Sequence, residues 1–86
     1  MDYCLAVFVN RLECQMFSKK LNLIRVPNTI ISTPRDLGLS CGLSVKFNLK
    51  YVTTAKKILN SINYSSFKNF YKIVPLSNYK QTYIKV

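Results

Sequence analysis

The residues best suited to chemistry lie in one short segment, in which Cys41 stands between Ser40 and Gly42. A cysteine is reactive when its thiol is exposed and close to positive charge and hydrogen-bond donors, because the thiolate is the nucleophile and these features lower its pKa. Gly42 would leave the backbone beside the sulfur uncovered, Ser40 offers a hydroxyl, and Arg35 is the nearest cation. The segment can supply a nucleophilic thiol, but a simple turn that contains a cysteine has the same composition.

Other kinds of catalytic site are not indicated. The chain has no histidine and three scattered acids, and its cysteines, Cys4, Cys14 and Cys41, show no CxxC spacing, so a zinc site would need an unusual fourth ligand. A glycine-rich phosphate loop and a Ser-His-Asp set are also absent. We expect no metal and no cofactor, and an ordinary enzyme is the least favoured class of function. Cys4 and Cys14 fall in predicted secondary structure and are expected to be inert packing residues.

The charge is strongly positive, with 13 Lys and Arg against three Asp and Glu and a net charge of +10. Such a field attracts nucleic acid, phosphate, sulfide or a membrane surface. The basic residues are scattered along the chain, as they also are on ordinary solvated helix faces. The charge alone therefore does not choose among these partners.

The compartment is predicted from the apolar runs and the thiols. The start of the chain lacks the basic region of a signal peptide. The longest apolar run, Leu5 to Val9, is far shorter than the roughly 20 residues of a membrane span. We expect a cytoplasmic protein with free thiols and no membrane contact.

Hydrophobic patterns predict four strands and two helices that must position the cysteine segment. The strands are expected at about residues 2–9, 25–33, 43–49 and 67–76, and the helices at about 10–22 and 51–63. Asn10 and Glu13 form a capping-box pattern at the start of the first helix. Its expected apolar stripe comprises Leu12, Met16, Phe17, Leu21 and Ile24.

The order βαββαβ predicts an α+β fold, a ferredoxin-like sandwich with a four-stranded antiparallel sheet and two helices on one face. Right-handed crossovers place strands one and three in the centre and strands two and four at the edges. Residues 1–76 then form a single domain, and residues 77–86 are either a tail or an extra short strand. Cys41 falls on the loop between strands two and three.

The residues of this loop resemble a known family. The stretch "CLAVF" (residues 4–8), followed after a helix by "TPRDLGLSCGLSVKF" (residues 33–47), resembles the selenium/sulfur (Se/S) carrier protein-like family of small bacterial domains. The resemblance covers about residues 2–74. Its motif residues are Pro34, Arg35, Ser40, Cys41 and Gly42.

The resemblance implies that Cys41 holds sulfur or selenium as a persulfide or selenopersulfide. The atom would come from a persulfide donor such as a cysteine desulfurase and pass to an acceptor protein. Arg35 would pair with the anionic terminal atom, N–H groups near Gly42 would donate to it, and Ser40 would orient the thiol. Neither a metal nor a histidine is required.

One competing interpretation is an RNA-binding module, since sheets of this type stack bases on aromatic residues of their central strands. Phe8 and Phe47 fall on those strands, with Tyr3 nearby, and the positive charge would attract phosphates. The sequence around Phe47 lacks the RNP1 pattern, and these aromatic residues fit core packing equally well.

A second competing interpretation is a protein-interaction domain in which Cys41 is incidental. Ile30 and Ile31 lie on a predicted edge strand, and the alternating segment 77–86 could pair with another chain, giving a homodimer.

Overall fold

The computed structural model describes residues 2–37 and 42–86. The main elements are β1 (Tyr3–Phe8), α1 (Arg11–Leu23), β2 (Asn28–Ser32), β3 (Leu43–Asn48), α2 (Val52–Ser61), β4 (Phe67–Pro75) and β5 (Gln81–Lys85). Two short 3₁₀ turns, Arg35–Leu37 and Leu49–Tyr51, follow β2 and β3. Asn10 caps α1 as predicted, because its Oδ1 accepts a hydrogen bond from the Glu13 N–H at 3.1 Å.

The strands form one antiparallel sheet in the order β2-β3-β1-β4-β5, so the fold is α+β. The sheet has five strands rather than the predicted four, because Gln81–Lys85 pairs along β4, so the alternative of an extra short strand within residues 77–86 is the one that holds. β1 and β3 are neighbours, and β2 lies at an edge, as expected. β4 is internal rather than at an edge, because β5 lies beyond it.

Both helices cover the same face of the sheet. The core on that face contains Phe8 and Phe47 from the central strands, Phe17 from α1 and Ala55 from α2. The rings of Phe8 and Phe17 lie 5.4 Å apart between centroids. All five residues from Cys4 to Phe8 are buried, which confirms that β1 is covered on both faces.

The buried stripe of α1 differs from the expected one. The buried residues are Cys14, Phe17 and Leu21, whereas the exposed ones include Leu12, Met16 and Ile24. Successive residues of a helix are turned by about 100°, so Leu12 and Met16 point away from a stripe centred on Cys14 and Leu21. The outer side of α1 is therefore partly apolar.

The second face of the sheet is covered in part by the segment that follows β2, residues 33–37, which we call the crossing segment. Its 3₁₀ turn lies within 8 Å of β5 between Cα atoms, at the edge opposite β2. The segment therefore runs from the edge that holds β2 toward the edge that holds β5. Leu5, Val7 and Ser44 are fully buried on this face, which carries neither α1 nor α2.

Candidate functional site

The candidate site is the segment between β2 and β3. Ser40 and Cys41 lie outside the described residues, so the structure defines the site through its two ends. Pro34 is half-buried and Arg35 is exposed. The Pro34 carbonyl accepts a hydrogen bond from the Leu37 N–H at 3.2 Å, which closes the 3₁₀ turn that begins at Arg35.

The two ends of the segment are joined by Thr33. Its N–H donates to the Gly42 carbonyl at 3.2 Å, one step beyond the last register pair, Ser32 and Leu43. Its hydroxyl lies 2.9 Å from that of Ser44, which is fully buried. Thr33 and Gly42, which flank the segment, are therefore held together at the end of β2 and β3.

Gly42 is required at this point by close packing. A Cβ atom there would lie 2.7 Å from the Phe8 carbonyl oxygen and 3.3 Å from Oγ1 of Thr33. Both the Phe8 carbonyl and the start of β3 belong to the sheet ladder, so neither can move aside easily. Gly42 is half-buried and its carbonyl is occupied, so its role differs from the uncovered backbone expected from the sequence.

The close approach to Phe8 places Gly42 at the end of the sheet where α1 begins. Phe8 is the last residue of β1, and Asn10, two residues later, caps the helix. The N-terminus of a helix carries partial positive charge from its unpaired N–H groups, which favours a nearby anion. Gly42 therefore lies at the end of the sheet from which the chain leads into α1.

The other two cysteines are unsuited to nucleophilic chemistry. Cys4 and Cys14 are fully buried, as expected for packing residues. Burial raises the pKa of each thiol to about 11, which leaves very little thiolate at neutral pH.

A polar cluster that sequence reasoning missed lies at the same end of the sheet. The Glu13 carboxylate accepts hydrogen bonds from the Ser66 hydroxyl at 2.6 Å, the Ser66 N–H at 2.8 Å and the Ser65 hydroxyl at 3.1 Å. These bonds lower the pKa of Glu13. The Val9 N–H also donates to the Ser66 carbonyl at 3.1 Å. The cluster joins the first turn of α1 to the residues just before β4. In the sequence, its only indication is the pair of serines, Ser65 and Ser66, ahead of a predicted strand.

The aromatic residues expected to stack on RNA bases are not available. Phe8 and Phe47 lie in the core, with exposed fractions of 0% and 1%, because their side of the sheet carries the helices. That part of the RNA-binding interpretation was wrong. Tyr3 alone of the three lies on the second face, where the Lys46 Nζ is 4.6 Å from its ring centroid.

Residues 2–37 and 42–86 hold neither a metal-binding cluster nor a membrane-spanning helix. No group of three or more His, Cys, Asp and Glu side chains comes together in this part of the chain. No helix within these ranges is long and apolar enough to cross a bilayer.

Comparison with known proteins gives a family match. Neither the curated proteins nor the solved structures include a match to this chain. A family model described as "Putative Se/S carrier protein-like" matches residues 3–72, a region that runs from β1 into β4 and contains the whole segment between β2 and β3. The chain therefore belongs to the Se/S carrier protein-like family.

Proposed function

We propose that this protein carries sulfur or selenium on Cys41, as a persulfide or selenopersulfide, and passes the atom to a partner. The observation that carries the proposal is the family match over residues 3–72, which includes the motif residues Pro34, Arg35, Ser40, Cys41 and Gly42.

The described part of the site supports this role. Cys4 and Cys14 are buried with a pKa of about 11, which leaves Cys41 as the thiol for transfer chemistry. Arg35 is exposed and can pair with an anion. Gly42, the residue after Cys41 in the sequence, packs against the Phe8 carbonyl at the end of β1.

The transfer step is a thiol exchange that needs no added oxidant. The Cys41 thiolate attacks the outer sulfur of a donor persulfide, forming a new S–S bond, while the S–S bond of the donor breaks and its cysteine leaves as a thiolate. With a donor selenopersulfide, an S–Se bond forms and an S–Se bond breaks in the same way. The terminal atom remains anionic on Cys41, where Arg35 would pair with it and Ser40 would orient it.

The proposed partners follow from this chemistry. They are a persulfide donor such as a cysteine desulfurase and an acceptor protein, and the cytoplasm is the proposed compartment. We also interpret β1 to β4 with α1 and α2 as a ferredoxin-like unit that β5 extends. The position of β1 between β3 and β4 supports that interpretation.

The direct test is intact-protein mass spectrometry after incubation with a cysteine desulfurase and cysteine, and separately with a donor enzyme loaded with selenium. We expect a gain of one sulfur or one selenium atom in the wild type and none in Cys41→Ser. Dithiothreitol should remove the adduct, because a persulfide is reduced by thiols.

Cys14→Ala is the matched control, since it removes a buried thiol and should leave the adduct intact. Arg35→Gln should lower adduct yield without changing the fold, because the side chain is exposed. An adduct that persists in Cys41→Ser, or a wild type that takes up neither element, would refute the proposal.

A further inference from the structure

We infer that the outer side of α1 binds an acidic amphipathic helix of a partner protein. The residues that form this surface are Leu12, Met16, Lys19 and Leu23, and we call them the outer seam. Leu12, Met16 and Leu23 are 63%, 43% and 78% exposed. Single exposed apolar side chains are common on protein surfaces, but these three lie in one line on one helix.

The alignment of the outer seam follows from helix geometry. Successive residues of an α-helix are turned by about 100°, so its four members fall within a sector of about 60°. Cys14, in the buried stripe of the same helix, lies about 160° away from Leu12. The side of α1 that packs on the sheet is therefore opposite to the outer seam, which stays exposed.

The spacing of the outer seam is that of a surface by which one helix packs against another. Its members follow one another at intervals of four, three and four residues, which is the a/d pattern of a coiled coil. At 1.5 Å per residue the seam is about 17 Å long. Lys19 stands at one of the four positions, and a charged residue at such a position selects the partner and the register.

The charge around the outer seam favours an acidic partner. Lys19 lies in the seam, and Arg11 and Lys20 are exposed on either side of it. Glu13 is the only acid of α1, and its carboxylate is engaged by the serine pair before β4. The helix therefore presents positive charge beside an apolar line, and acidic side chains of a partner would pair with it.

A membrane surface fits this helix less well than a partner helix does. An amphipathic helix that lies in a bilayer buries a broad apolar face, of about 100° or more. The outer seam is only about 60° wide and contains a lysine, while the apolar side chains opposite to it are already packed in the core. A narrow apolar seam is typical of contact between two helices.

A second copy of this chain is also a poor occupant. Each copy would bring Lys19 and Lys20 to the contact, and each carries a net charge of +10. Like charges brought together at an interface oppose association. The occupant with complementary chemistry is a helix that has apolar residues at its a and d positions and acids beside them.

The outer seam starts near the end of the sheet that holds Gly42. Leu12 follows Phe8 by four residues, and Gly42 packs against the Phe8 carbonyl. A helix bound along the seam would therefore reach that end of the sheet. This placement suits the donor or acceptor of the carrier proposal, and only that assignment of the partner rests on the proposed function.

The test is fluorescence anisotropy of the full chain at low salt with a labelled helical peptide of about three heptads, with Leu at a and d and Glu at e and g. A matched peptide with Lys at e and g should bind far more weakly. Leu12→Gln and Leu23→Gln should each weaken binding of the acidic peptide by roughly 10-fold to 100-fold, because an apolar contact is lost. Lys19→Gln should weaken it by about 2-fold to 5-fold and reduce its dependence on salt.

Leu76→Gln is the matched control, because Leu76 is 65% exposed, close to the 63% of Leu12, and lies after β4 rather than on α1. It makes the same chemical change away from the outer seam and should leave the affinity unchanged. Far-UV circular dichroism of the helix variants should match the wild type, since glutamine and leucine have similar helix propensities. Cys41→Ser should retain full affinity, so the binding test is independent of the carrier proposal.

The inference is overturned if the lysine peptide binds as tightly as the acidic one, if Leu76→Gln weakens binding as much as Leu12→Gln, or if the acidic peptide does not bind at low salt. Vesicles of phosphatidylcholine and phosphatidylserine test the membrane alternative. Vesicle binding that is lost in Leu12→Gln, without peptide binding, would show that the seam takes a lipid surface instead. Sedimentation of the wild type as a dimer that Leu12→Gln dissociates would show that it takes a second copy.

Discussion

Substitution of Gly42 by alanine tests how tightly the cysteine segment is anchored. The new Cβ would lie 2.7 Å from the Phe8 carbonyl oxygen, against at least 3.4 Å in ordinary van der Waals contact, so about 0.7 Å must be gained by moving the start of β3. Overpacking of this kind costs about 1–3 kcal/mol. The reduced freedom of the unfolded chain on replacing glycine offsets about 0.4–1 kcal/mol. We expect a net destabilisation of about 1–2 kcal/mol.

Thermal unfolding followed by circular dichroism measures this destabilisation. In a domain of this size it should lower Tm by about 5–15 °C. Thr53→Ala, an exposed substitution on α2, is the control and should change Tm very little. If Gly42→Ala unfolds at the same temperature as the wild type or higher, the close approach of Gly42 to Phe8 is not what selects glycine there.

Two further predictions concern polar groups near the same end of the sheet. Tyr64→Phe should raise the free energy of unfolding by about 1 kcal/mol, because the buried Tyr64 hydroxyl has no hydrogen-bond partner among the described residues. Urea denaturation measures this change, and a decrease of similar size would show that the hydroxyl is hydrogen-bonded. Glu13→Gln should lower stability at neutral pH and flatten its decline in acid. The pKa of the Glu13 carboxyl is lower in the folded than in the unfolded protein, so its contribution to stability is present above the ordinary carboxyl pKa and disappears as pH falls through the folded value. Parallel profiles of stability against pH for wild type and variant would contradict this.

The strands and helices could be predicted because their signals are local. The run from Cys4 to Phe8 is apolar without a break, which indicates a strand covered on both faces, and the structure confirms it. Because apolar and polar residues do not alternate in this run, the sequence does not show which face of β1 carries the helices. For that reason Phe8 could be assigned either to the core or to a surface that stacks bases.

Features that depend on distant pairing could not be decided from the sequence, and for residues 77–86 it left both a tail and an extra strand open. β5 follows a turn in which the Leu76 N–H donates to the Lys80 carbonyl at 2.9 Å, and the residues there lack the Asn-Gly or Asp-Gly pattern that identifies a hairpin. Glu13 was expected to fold back onto Asn10, but serines more than fifty positions away offer competing donors. The conformation of Ser40 and Cys41 lies outside the described residues, and their roles stay predictions.

The crossing segment has a consequence for the order in which the molecule is built. Its 3₁₀ turn lies within 8 Å of β5 between Cα atoms, yet β3, α2 and β4 lie between the two in the sequence. During synthesis the segment next to Cys41 therefore cannot reach its final neighbour until β5 has been made. β5 also lies beyond residue 72, where the family match ends. The turn that contains the motif residue Arg35 thus has a neighbouring strand outside the matched region.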